Sequence, residues 1–188
     1  MIDANDPRLS PYEREIAAMR GDGAKLSDDE MIACCALGLA EETAEVICAI
    51  DNESDETVLS ELGDVVWYAT TAAHRLDVTL SHVRETETAT NLTVRPNDED
   101  NARSMAMYAG IFAGLVKKKL FHEKPLNVEW SVRYLAEILD CVELIAIDHH
   151  GVFDDACEAN LAKLRKRFPS GGFTTAEANA RADEKGGA

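Results

Sequence analysis

The sequence predicts an all-α protein, an antiparallel helical bundle, and three observations carry that prediction. Alanine and leucine recur while proline and aromatics are sparse, the aromatics only 6%, which favours helix over sheet. Apolar residues return at three- and four-residue spacing through most of the chain, the period of a helix face. The polar breaks between these segments are short, as between antiparallel neighbours. At 188 residues the chain is long enough for one domain with a sizeable core.

Residues 1–10 read as a loose leader, and "PYEREIAAMR" at 11–20 as a short helix with Pro11 in its first turn. Ser27 followed by Glu30 is a capping-box signature and starts a helix over 28–50, with Leu37, Ala40, Ala44 and Ile47 as its expected buried stripe. "DNESDE" breaks it, and a second long helix follows over 55–76. A further segment begins near Thr79. The polar, proline-containing stretch 88–101 is the expected linker. Helical periodicity resumes over 102–121, 127–149 and 152–168, and the small, glycine-rich remainder reads as a mobile tail. The organisation is then a leader with a short helix over 1–27, an acid-bearing half over 28–90, a second half of the same domain over 102–168, and a flexible tail over 169–188.

The second half reads as a degenerate copy of the first. With Gly38 laid on Gly110, apolar positions coincide along both long helices, and Glu41, Glu42, Glu45, Glu61 and Asp64 face Ala113, Gly114, Lys117, Tyr134 and Glu137.

The net charge of −16 speaks against nucleic acid and anionic membrane surfaces as partners. No run reaches the length of a membrane span and the N-terminus lacks a signal-peptide pattern, so a cytoplasmic location is expected. The five cysteines show no metal-ligand spacing and read as reduced, packed thiols.

Chemistry concentrates in one constellation. Glu42 and Glu45 stand three apart and Glu41 and Glu45 four apart, so they share one side of a helix; Glu61 and Asp64 repeat the spacing on the next helix. Carboxylates brought this close raise one another's pKa unless a cation answers them. From Leu26 to His74 there is no lysine or arginine, so the counter-charge is a metal or a distant basic segment. All-oxygen ligation suits Mg²⁺, with Mn²⁺ as a substitute. Distant bases exist in Lys117, Lys118 and Lys119 and in the "KLRKR" run, with Lys163, Arg165, Lys166 and Arg167. Acids for metal and bases for phosphate together make a triphosphate site. Plainer readings stay open: solvated acidic helix surface, basic residues favouring a helix C-terminus, and Trp67 and Tyr68 as core rather than stacking platforms. A non-enzymatic acidic interaction module, such as a DNA mimic, also stays open.

At these residues the sequence resembles the MazG-like nucleoside triphosphate pyrophosphohydrolases of the all-α NTP pyrophosphatase superfamily, which also holds the dimeric dUTPases. "EETAE" at 41–45, "ELGD" at 61–64 with its continuation "VVWYA", and "ANLAKLRKRFPSGGF" at 159–173 carry the resemblance. It implies Mg²⁺-dependent cleavage between the α and β phosphates to a nucleoside monophosphate and pyrophosphate. Glu42, Glu45, Glu61 and Asp64 would hold metal, Glu41 would orient or deprotonate the water, and Lys117, Lys118, Lys163, Arg165, Arg167, Tyr68, Trp67 and Asn160 would bind substrate. A homodimer or higher homo-oligomer is implied. The base is left open between dUTP or dCTP and purine dNTPs.

Overall fold

Helix ends fall where capping residues place them. The computed structural model describes residues 2–19, 26–88 and 97–180, and these form eight helices and no strand. They are α1 (Pro11–Met19), α2 (Asp28–Asn52), α3 (Asp55–Arg75), α4 (Leu80–Arg84), α5 (Asp98–His122), α6 (Val128–Asp148), α7 (Phe153–Arg167) and α8 (Thr175–Ala180). The Ser27–Glu30 capping box is formed at the start of α2. Ser54, Thr79, Asn97 and Asn127 cap α3, α4, α5 and α6 with their side chains, each satisfying an amide that the first helical turn leaves unpaired.

Four long helices make the core: α2 packs on α3 and α5, and α6 on α5 and α3. Lys119 near the end of α5 pairs with Asp29 at the start of α2, so those two helices run antiparallel. The α3–α6 side is covered by α7, which packs on both, with α1 on α3 and α7 and α4 on α6 and α3. Leu39, Val46, Leu62, Val66, Phe112 and Ile138 are fully enclosed between the helices. No helix among the described residues is long and apolar enough to cross a membrane.

Several expectations change here. The stripe Leu37–Ala40–Ala44–Ile47 is not the buried face of α2: Leu37 is 72% exposed, and Cys35, Leu39, Val46 and Ala49 are buried instead. A helix apolar nearly all round offers two stripes at the same spacing, and tertiary packing chooses between them. Residues 1–10 are not wholly loose, because Ile2 and Leu9 are buried. The linker's interior, 89–96, lies outside the described residues, while 98–101 already belong to α5. In the expected mobile tail, Phe173 packs on Phe168 with ring centroids 5.4 Å apart, its amide donates to the Met19 carbonyl at 2.7 Å, and α8 follows; 181–188 lie outside the described residues. Cys35, Cys141 and Cys157 are buried thiols outside any disulfide, but Cys34 and Cys48 are exposed.

The proposed repeat register is also corrected. α2 and α5 are each 25 residues long, and α3 and α6 each 21. Laid end to end, α3 on α6 matches in burial: Leu62, Val65, Val66 and Ala69 fall on Leu135, Ile138, Leu139 and Val142. Gly38 on Gly110 does not, because Gly38 is buried and Gly110 open. Burial agrees two residues earlier, with Ile32, Cys35, Leu39 and Val46 on Ala102, Met105, Ala109 and Val116. Lys117 therefore does not stand opposite Glu45. Leu115 does, and fully buried Phe112 stands opposite Glu42.

Candidate active site

The acids of α2 and α3 meet because the two helices are antiparallel neighbours joined by a two-residue break. Glu42, Glu45 and Glu61 each bring a carboxylate oxygen within 4.8 Å of the others. One oxygen of Glu42 and one of Glu61 are buried without a hydrogen-bond partner. Buried carboxylate oxygens left unpaired are costly, and burial first, then the charges of Asp64 and Glu45, push Glu42 up to about 8 despite the opposing pull of Lys163. Burial likewise raises Glu61, against the attraction of Lys163. Three convergent carboxylates, two of them with a buried oxygen that no hydrogen bond satisfies, fit a hard divalent cation.

The fourth acid is arranged differently. Asp64 faces the same cleft from α3, but its Oδ2 is paired with the Lys163 ammonium and its Oδ1 accepts from Asn160 Nδ2 at 2.7 Å. Lys163 also stands 3.7 Å from Glu61. Asp64 and Glu61 hold Lys163 charged against the effect of its burial. The distant basic segment thus answers part of the acid cluster directly. Gly63 permits this approach: a Cβ there would lie 2.4 Å from the Ala156 carbonyl of α7 and 2.9 Å from Asn160 Cβ, so glycine lets α7 close onto α3.

The cleft has a volume of about 590 Å³ and is lined on one side by Glu41, Glu42, Glu45, Glu61 and Asp64, and on the other by Lys163, Lys166 and Arg167. Tyr68 lines it too, its ring seated where a side chain on Gly38 would stand, 2.3 Å from a Cβ placed there; burial raises its phenol, which stays protonated. A more open groove of about 790 Å³ continues past Glu41, Glu45 and Glu61 over Ala44, Cys48 and Ala49 to Asn52 and Thr57.

Four predicted substrate residues fall outside the cleft. Trp67 does not line it and packs against the core beside Tyr68, ring centroids 4.7 Å apart. Arg165 turns outward, bidentate on Glu15 at 2.6 Å, because it lies two positions from Lys163 and hence on another side of α7. Lys117 and Lys118 are exposed on α5, and neither lines the cleft. The residues unforeseen from sequence are Tyr12, whose hydroxyl donates to Asn160 Oδ1 at 3.2 Å, and the fully buried Glu13–His74 pair at 3.0 Å. No spacing announced them, since 148 and 61 residues separate the partners.

Comparison with known proteins agrees with this geometry. No curated protein and no solved structure matches the chain significantly. Residues 33–91 match the MazG nucleotide pyrophosphohydrolase domain, a segment that runs through α2, α3 and α4 and holds all five clustered acids. Enzymes of that family generally depend on a divalent metal. The chain is all-α and carries a MazG nucleotide pyrophosphohydrolase domain over residues 33–91, which indicates an enzyme rather than an acidic interaction module.

Proposed function

We propose that the enzyme hydrolyses nucleoside or deoxynucleoside triphosphates between the α and β phosphates, with Mg²⁺ as its cation and Mn²⁺ able to replace it. The observation that carries the proposal is the facing of acids and bases across one cleft. Glu42, Glu45 and Glu61 would hold the cation, with Asp64 offering Oδ2 in place of its pairing with the Lys163 ammonium, which is then available to the phosphates. The bound cation supplies charge neutralisation at the phosphates and acidifies water. Glu41, at the rim, orients a water molecule and takes its proton as the oxygen attacks the α phosphorus. The bond from that phosphorus to the bridging oxygen breaks, and pyrophosphate leaves with its charge met by Lys163, Lys166 and Arg167. The nucleoside then points the other way, onto Ala44, Cys48 and Ala49, with Asn52 and Thr57 in reach of its polar edges.

The equal helix lengths and matching burial support a second half that is a degenerate copy carrying no site of its own, since Phe112, Leu115, Tyr134 and Glu137 take the positions of Glu42, Glu45, Glu61 and Asp64. One site per chain follows. The outward face of α2 and α5 bears Leu37, Ile111, Met107 and Phe121, exposed by 72%, 38%, 52% and 77%, and supports self-association through that layer. Incubation of the purified protein with each dNTP and Mg²⁺ tests the activity: pyrophosphate and monophosphate are expected in equal amounts from at least one dNTP, and sedimentation tests the association.

A further inference from the structure

The N-terminal helix α1 lies outside the segment that matches the pyrophosphohydrolase domain, yet it reaches the cleft through one side chain. Tyr12 is 8% exposed and Asn160 1% exposed. The Tyr12 hydroxyl donates to Asn160 Oδ1 at 3.2 Å, and Asn160 Nδ2 donates to Asp64 Oδ1 at 2.7 Å. Three helices, α1, α7 and α3, are thereby joined in a single line that ends on a carboxylate of the cleft.

α1 itself is held firmly. Glu13, next to Tyr12, accepts at Oε1 from the Leu80 amide at 2.6 Å and meets His74 Nε2 at 3.0 Å, while its Oε2 accepts from the Ser10 amide at 3.0 Å. Burial alone would raise this carboxyl, but His74 and the two amides bring it down to about 2. Glu13 therefore stays ionised and pins Tyr12 in depth and direction, and the absence of a side chain at Gly63 keeps Asn160 against α3.

A buried amide has two orientations of nearly equal shape, and its neighbours choose between them. With a hydroxyl donor on one side and a carboxylate on the other, only the orientation with nitrogen toward Asp64 satisfies both. From this we infer that Tyr12 is a positioning residue for the cleft: through Asn160 it fixes Asp64 so that Oδ1 is committed to the protein and Oδ2 alone faces the site. Asp64 then offers one oxygen, at one angle, to whatever cation replaces the Lys163 ammonium. The inference rests on the proposed role of Asp64.

The test uses the full chain with Tyr12→Phe, Asn160→Ala, the double variant and Asp64→Asn. Mn²⁺ binding is measured by calorimetry without nucleotide, and kcat and KM are measured separately with the best dNTP. Loss of one hydrogen bond that orients a cation ligand corresponds to about a five- to tenfold weakening of Mn²⁺. Tyr12→Phe keeps the ring and is expected to show that weakening and a matching fall in kcat, with KM little changed. The double variant is expected to be no worse than Asn160→Ala, because both act on one line. Wild-type Mn²⁺ affinity in Tyr12→Phe, or additive effects in the double variant, would overturn the inference, and so would a loss confined to melting temperature. If Asp64→Asn itself binds Mn²⁺ and turns over normally, the proposed role of Asp64 fails as well; if only Tyr12→Phe is silent, the positioning inference alone fails.

Discussion

Without metal, Glu42 titrates near 8 rather than at its ordinary 4.5, and this makes the stability of the protein depend on pH in a specific direction. The native state keeps a proton that the unfolded chain releases. Stability from this group is complete below the ordinary value and is lost as pH rises through the raised one. Inside that window each pH unit costs at most about 1.4 kcal/mol, the slope halves near the raised value and solvent screens a partly exposed carboxyl, so metal-free protein loses about 2 kcal/mol between pH 6 and pH 8. For a chain of this size that is a fall in melting temperature of roughly 4–8 °C. Glu42→Gln removes the titrating group while keeping the shape, and is expected to melt at nearly constant temperature over the same range. Mn²⁺ added at pH 8 is expected to restore the wild type and not the variant, since a cation substitutes for the proton only where a carboxylate is present. The assay is a melting series in chelator and in Mn²⁺ from pH 6 to pH 8. Parallel curves for metal-free wild type and Glu42→Gln would refute the reasoning.

Three further outcomes follow from the packing. Glu13→Gln leaves a buried imidazole without its ionised partner and is expected to cost about 3–5 kcal/mol in urea unfolding; a variant as stable as wild type would show that the pair contributes nothing. Gly63→Ala drives a methyl group against the Ala156 carbonyl 2.4 Å away, with an expected loss of about 1–3 kcal/mol and a larger proportional loss of turnover as α7 moves off the cleft. Lys163→Met removes the proposed charged donor to phosphate, so KM is expected to rise about tenfold or more, while Mn²⁺ binds at least as tightly without nucleotide. Weakened Mn²⁺ binding in that variant would assign Lys163 to scaffolding.

Local chemistry was readable from the sequence, and long-range choice was not. Ser27 and Glu30 announced the start of α2, and α3 and α6 fell within a residue or two of their expected spans, because caps and helical period act over a few residues. The absence of basic residues from 26 to 74 signalled that Glu42, Glu45 and Glu61 needed an outside cation. It also pointed to the basic run that holds Lys163, which the fold brings to Asp64, whereas Asn160 was named only through the family resemblance. Which stripe of α2 is buried could not be read, because alanine and cysteine surround Leu37 and Leu39 alike and only the arrival of α5 and α3 decides. The same ambiguity shifted the repeat register by two residues and placed Lys117 opposite Glu45. Arg165 and Lys163 look equivalent in a basic run, yet two residues on a helix turn them apart by more than a right angle. Tyr12, Glu13 and His74 carry no local signal at all, since their meaning comes from partners on other helices.

By the proposed chemistry this cleft splits a triphosphate between its α and β phosphates using clustered acids, and product analysis of each dNTP with Mg²⁺, run on wild type and Asp64→Asn side by side, decides it. Equal monophosphate and pyrophosphate are expected from wild type, with turnover reduced about a hundredfold or more in an Asp64→Asn variant that still folds. Release of orthophosphate with a diphosphate, or no turnover of any dNTP with either Mg²⁺ or Mn²⁺, would contradict it.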